Sequence, residues 1–115
     1  MGCTQVEINM PEGYKKKVNV CKTSYLPRNV KGATNKRDLI LINEYLDDLG
    51  IKDPELYVWI HERRHMQHPE KGEYKIRLES DEEYYQRTGE KINTAGDYLR
   101  YANSMRGPRI SSGFD

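Results

Sequence analysis

Apolar material is scarce in this chain. Only 36% of its 115 residues are hydrophobic, with one phenylalanine and one tryptophan, and the mean hydropathy is −0.96. No apolar run approaches the ~20 residues of a membrane-spanning helix, so no membrane partner is expected. A charge excess is missing too. The 19 Lys and Arg nearly balance the 18 Asp and Glu, leaving +1 and no field that would gather nucleic acid. The short run Lys15-Lys16-Lys17 alternates into Val18 and Val20 and reads as the solvent side of a strand. Cysteine stops at two, Cys3 and Cys21. No signal-peptide pattern opens the chain. Ordinary buried or half-buried thiols in a reduced, cytoplasmic protein are therefore expected, with a disulfide as the alternative.

What is present is tyrosine, nine of them. A tyrosine packs its ring while its hydroxyl stays wet, so several should line a groove or the rim of a modest core. The length suits one domain, expected over residues 1–108, with an unpatterned and mobile tail over 109–115. Gln5 to Met10 and Lys16 to Cys21 alternate polar and apolar residues around the Pro11-Glu12-Gly13 turn signal, as an antiparallel hairpin does. Asn29 to Thr34 offers a short edge strand, and Leu39-Ile40-Leu41-Ile42 a central one. A short helix over Glu44 to Leu49 is expected to stop at Gly50. Tyr74 to Leu78 alternates and reads as a strand or extended connector. Ala95, Tyr98, Leu99, Ala102 and Met105 keep helical spacing. The fold class is therefore α+β: a three- to four-stranded sheet against a few helices.

The decisive feature lies between these elements. Asp53 to His68 reads as one helix, opened by an Asp cap and Pro54 and closed at His68-Pro69. Leu56, Trp59 and Ile60 supply its apolar face. Its last turns carry His61-Glu62-Arg63-Arg64-His65, an HExxH pentad. Residues four apart share a helix face, so His61 and His65 can offer two nitrogens to one metal ion. Glu62, about 100° around the helix, can hold a water at the metal without ligating it. Two imidazoles with that partner suit zinc. The bland alternative is a solvated helix face bearing two surface histidines. His68, nearly two turns from His61, is best read as a helix-end residue satisfying terminal carbonyls.

A third ligand must come from elsewhere in the chain. Downstream, Ser80-Asp81-Glu82-Glu83 forms a capping-box pattern, so a second helix is expected to begin there and run to Gly89. A carboxylate at its start could reach the metal. With this order of elements, roughly Leu39 to Gly89 resembles the gluzincins, HExxH metallopeptidases whose third zinc ligand is a downstream glutamate, and in size the minimal members, the minigluzincins. In that family a second acid commonly follows the ligand glutamate by four residues. The resemblance therefore implies Glu79, followed by Glu83, as the third ligand. Glu82 is the main rival, with Asp81 behind it. Two departures stand out. Arg63 and Arg64 occupy pentad positions that are usually uncharged in the family, and Glu82 stands where a small residue is usual before the second acid.

The expected chemistry is zinc-dependent hydrolysis of a peptide or protein substrate. His61, His65 and Glu79 would hold one zinc ion, with Glu62 as general base. A tyrosine among Tyr84, Tyr85, Tyr98 and Tyr101 would stabilise the oxyanion. The resemblance further implies latency, and the unpatterned 109–115 tail is the segment expected to cover the metal. Other classes remain: a non-catalytic zinc-binding domain, a regulatory protein-interaction domain without metal, or an enzyme that hydrolyses non-peptide amides.

Overall fold

The computed structural model describes residues 2–106, the last three by backbone alone. The strands are β1 (Gly2–Asn9), β2 (Lys15–Thr23), β3 (Gly32–Thr34) and β4 (Leu39–Asn43). The helices are α1 (Pro54–Gln67), α2 (Glu73–Thr88) and α3 (Thr94–Arg106). The α+β class is as expected, while the expected 109–115 tail lies outside the described residues.

The strands form one mixed sheet in the order β1-β2-β4-β3. β1 and β2 make the antiparallel hairpin, β2 and β4 run parallel, and β3 returns antiparallel on the far edge. Alternation decides which face is buried. Ile8, Val18, Ile40 and Ile42 point to one side and pack with Val58 and Met66 of α1 in the main core. A smaller cluster of Tyr57, Ile60 and Tyr84 joins α1 to α2.

Helix α1 begins as its sequence dictates. The Asp53 carboxylate accepts from the backbone of Leu56 at 3.1 Å, and Pro54 fills the first turn. Two expectations nearby are corrected. The segment expected as a helix over Glu44 to Leu49 keeps only a 3-10 turn at Asp47–Leu49, which Gly50 ends in the left-handed region at φ 67°. Tyr74 to Leu78 is neither strand nor connector, because α2 already begins at Glu73. The reason is packing: Ile76, Ser80 and Tyr84, at successive four-residue steps, are buried on one face of α2. Ser80-Asp81-Glu82-Glu83, a capping box by its letters, therefore lies in the middle of the helix.

The cysteines are the third correction. Cys3 and Cys21 face each other across the hairpin and form a disulfide. Two strands in this register bring the two Cα atoms to 4.0 Å, so the expected free thiols give way to a bridge. Among the described residues no helix is long and apolar enough to cross a membrane.

Candidate metal centre

The site forms where the second half of α1 meets the first turn of α2 and the edge strand β3. His61 and His65 lie one turn apart, their rings edge to face with centroids 4.7 Å apart. Both turn Nε2 toward one carboxylate, Glu73, the first residue of α2. The distances are 3.0 Å from His61 to Glu73 Oε2 and 2.7 Å from His65 to Glu73 Oε1. One donor atom from each of the three residues lies within 4.8 Å of the others.

The carboxylate that meets the two histidines is Glu73, six residues before the expected Glu79. Glu79 stands apart from the histidines, its oxygens held by Lys71 Nζ at 2.7 Å and Arg64 Nη1 at 3.3 Å. Glu82 is exposed and accepts from Gln86 at 3.2 Å. Asp81 caps α3, accepting from Thr94 Oγ1 and the Ala95 backbone. Glu79 is expected from the gluzincin spacing, and its rivals Glu82 and Asp81 from starting α2 at the capping-box letters; the structure brings none of the three to the histidines. One signal for Glu73 was available: Gly72 ends the turn after Pro69, and the apolar spacing of Ile76 and Tyr84 extends back to it. His68 caps the end of α1, its backbone N–H donating to Arg64 O at 2.9 Å, while its ring lies beside Glu70 at 3.5 Å.

Glu62 is placed beside this cluster, only 6% exposed, and accepts from His61 Nδ1 at 3.0 Å. Because both nitrogens of His61 donate to carboxylates, its ring is an imidazolium in this state. Burial works against that charge, but the hydrogen bonds to Glu62 and Glu73 outweigh it and hold the His61 pKa up at about 9. Burial likewise opposes ionisation of Glu73, and the bonds from His61, His65 and Arg77 overcome it, keeping this carboxyl well below the usual carboxylate range. His61 thus carries a proton on the nitrogen a metal would use, so proton and metal compete for one position.

The surrounding residues were not legible as site residues in the sequence. Arg77, one turn along α2, donates to Glu73 Oε2 at 2.7 Å and to Thr94 O at 3.2 Å, fixing the carboxylate from behind. Tyr57 stacks on His61 with centroids 6.0 Å apart. Thr94 has one hydroxyl proton, which goes to the Asp81 carboxylate at 2.6 Å. The Tyr57 hydroxyl must therefore donate to Thr94 Oγ1, at 2.5 Å, and has no proton left for a substrate. Gly32 of β3 approaches α1 so closely that a Cβ there would lie 2.6 Å from Val58 Cγ1 and 2.9 Å from Glu62 Cγ. Together these groups line a cleft of about 430 Å³ with β3 along its side.

The tyrosines expected to hold an oxyanion lie elsewhere. Tyr84 is buried, donating to Glu90 at 2.6 Å and accepting from the Asp53 backbone. Tyr85 lies under Lys91, Tyr98 under Arg77, and Tyr101 is 63% exposed. None of the four lines the cleft. The two arginines of the pentad also find their reason. Arg63 and Arg64 both grip Glu83 of α2, Arg64 with Nε at 3.0 Å. These positions clamp the two helices that carry the three donors.

The donor set fits a divalent metal: two imidazole nitrogens and a carboxylate at the mouth of a cleft suit zinc. Among the described residues His65 Nδ1 is buried without a hydrogen-bond partner. Its ring is therefore oriented through Nε2, the nitrogen that faces the cluster. Compared with known proteins, the chain matches no family model, no curated protein and no solved structure.

Proposed function

We propose that this protein is a zinc-dependent metallopeptidase of gluzincin type in which His61, His65 and Glu73 hold the ion. The observation that carries the reading is the convergence of both Nε2 atoms on Glu73, with Glu62 adjacent. Zinc bound there would polarise a scissile carbonyl and acidify water. Glu62 takes the proton of the attacking water and returns it to the departing amine. To do so its carboxylate turns from His61 Nδ1 into the cleft. Arg77 keeps Glu73 oriented throughout. A peptide substrate is favoured over a small amide because β3 is an edge strand bordering the cleft, and an extended chain can add to such an edge by main-chain hydrogen bonds.

Glu62→Gln separates this reading from a non-catalytic zinc domain. The variant should still fold and bind one zinc, because Glu62 is not among the three ligands, yet lose hydrolysis of an unstructured protein such as casein by about 100-fold or more. Equal cleavage by the two proteins would remove Glu62 from the chemistry. For the compartment, the Cys3–Cys21 bridge favours an oxidising environment over the cytoplasm.

A further inference from the structure

The opposite edge of the sheet carries a second feature, independent of the metal site. Strand β1 has eight residues, Gly2–Asn9, and among the described residues no strand pairs with its outer side. Its hydrogen-bonding phase can be read from the structure. Met10 donates to Tyr14 O at 2.8 Å, so even-numbered residues here turn their backbone groups toward β2. The 4.0 Å Cα separation of Cys3 and Cys21 is that of a pair that exchanges no hydrogen bonds, which gives the same phase. On the other side of β2, Asn19 donates to Asp38 O at 2.8 Å, as this phase requires. Cys3, Gln5, Glu7 and Asn9 therefore aim their N–H and C=O groups outward.

Edge strands are ordinarily protected by proline, lysine, a bulge or brevity. β1 has none of these: its register with β2 is unbroken over eight pairs, and Glu7 is its only charge. Beside it, between the sheet and the first turns of α1, runs a groove of about 720 Å³ that includes Val6, Val20, Leu56 and Trp59. This edge is available for pairing and has apolar surface to bury next to it.

We propose that β1 is a homodimer interface, pairing antiparallel with β1 of a second copy about a two-fold axis at Gln5. The outward phase is self-complementary in this register. Gln5 opposes Gln5 of the second copy and Cys3 opposes Glu7, each pair formed by residues whose backbone groups face outward. The charges agree as well, because the two Glu7 side chains are kept four residues out of register. Between these pairs, Thr4 meets Val6 of the second copy on the groove side, a contact between β-branched side chains. The result is a continuous eight-stranded sheet with both α1 helices on one face and both metal clefts at its far ends.

The test is sedimentation equilibrium of the full oxidised chain, with and without zinc. Native protein should show a monomer–dimer equilibrium. Gln5 is exposed and its side chain lies outside the core, so Gln5→Lys and Gln5→Glu should fold normally. Each places like charges opposite one another at the axis and should weaken association roughly fivefold, while an equal mixture of the two restores it. Gln5→Pro removes an outward N–H and no bond of the hairpin, and should abolish the dimer. Native protein that stays monomeric throughout would overturn the proposal. So would a dimer indifferent to the three variants, or charge variants that do not rescue each other.

Discussion

The carboxylate of Glu73 and the missing side chain of Gly32 do most to define the site. Gly32 has an ordinary strand conformation, so its value lies in space rather than in backbone freedom. A methyl group there would push on Val58 and on the Glu62 side chain. Gly32→Ala should lower unfolding free energy by about 1–3 kcal/mol, the usual range for overpacking. Denaturant titration measures it, and a cost near zero would show that β3 can shift away from α1. The histidines and Glu62 were legible in the sequence because a helix converts four-residue spacing into a shared face. Glu73 was not, because its place depends on where α2 begins. The letters Ser80 to Glu83 matched a local capping rule, whereas the buried face of Ile76, Ser80 and Tyr84 carries the helix back to Glu73.

At the level of elements, the pairing of α1 with α2 governs the geometry of the donors. Its polar side is an ion-pair cluster in which Glu83, 12% exposed in its side chain, receives Arg63, Arg64 and Arg87. Burial opposes ionisation of Glu83, but the Arg63 hydrogen bond and the neighbouring positive charges outweigh it and lower its pKa. A carboxyl whose folded pKa lies below its unfolded value stabilises the fold above the unfolded pKa, near 4.5. That contribution disappears as pH falls through the folded value. The native protein should therefore lose stability on acidification below about pH 4.5. Glu83→Gln should cost about 2 kcal/mol at neutral pH and flatten part of that acid slope. Thermal melts between pH 3 and pH 7, values set around that pKa, compare the two proteins. An unchanged slope in the variant would show that other carboxylates carry the acid response. The arginines that make the pentad unusual beside the gluzincins are thus explained by the packing of two helices. Strand order and the parallel β2–β4 pairing were not legible, since alternation shows which face is buried but not which strand is adjacent.

Over the whole molecule, a sequence poor in apolar residues closes its hairpin with a covalent bond. The Cys3–Cys21 loop has a sequence separation of 18, and in the chain-entropy account a loop of that length stabilises by about 3 kcal/mol. Reduction should lower the melting temperature accordingly, with two thiols appearing on titration of the unfolded chain. A reduced protein that melts where the oxidised one does would mean the sheet and α1 hold β1 unaided. The proposed metal site depends on the entire arrangement, since its candidate donors come from two helices held against one sheet. The central claim is best tested by isothermal titration of zinc into the native protein, Glu73→Gln and Glu79→Gln. One zinc per chain is predicted for native protein and for Glu79→Gln with similar affinity, and binding weakened by about 100-fold or more in Glu73→Gln. Loss of zinc in Glu79→Gln with retention in Glu73→Gln, or no zinc bound by the native chain, would contradict the account.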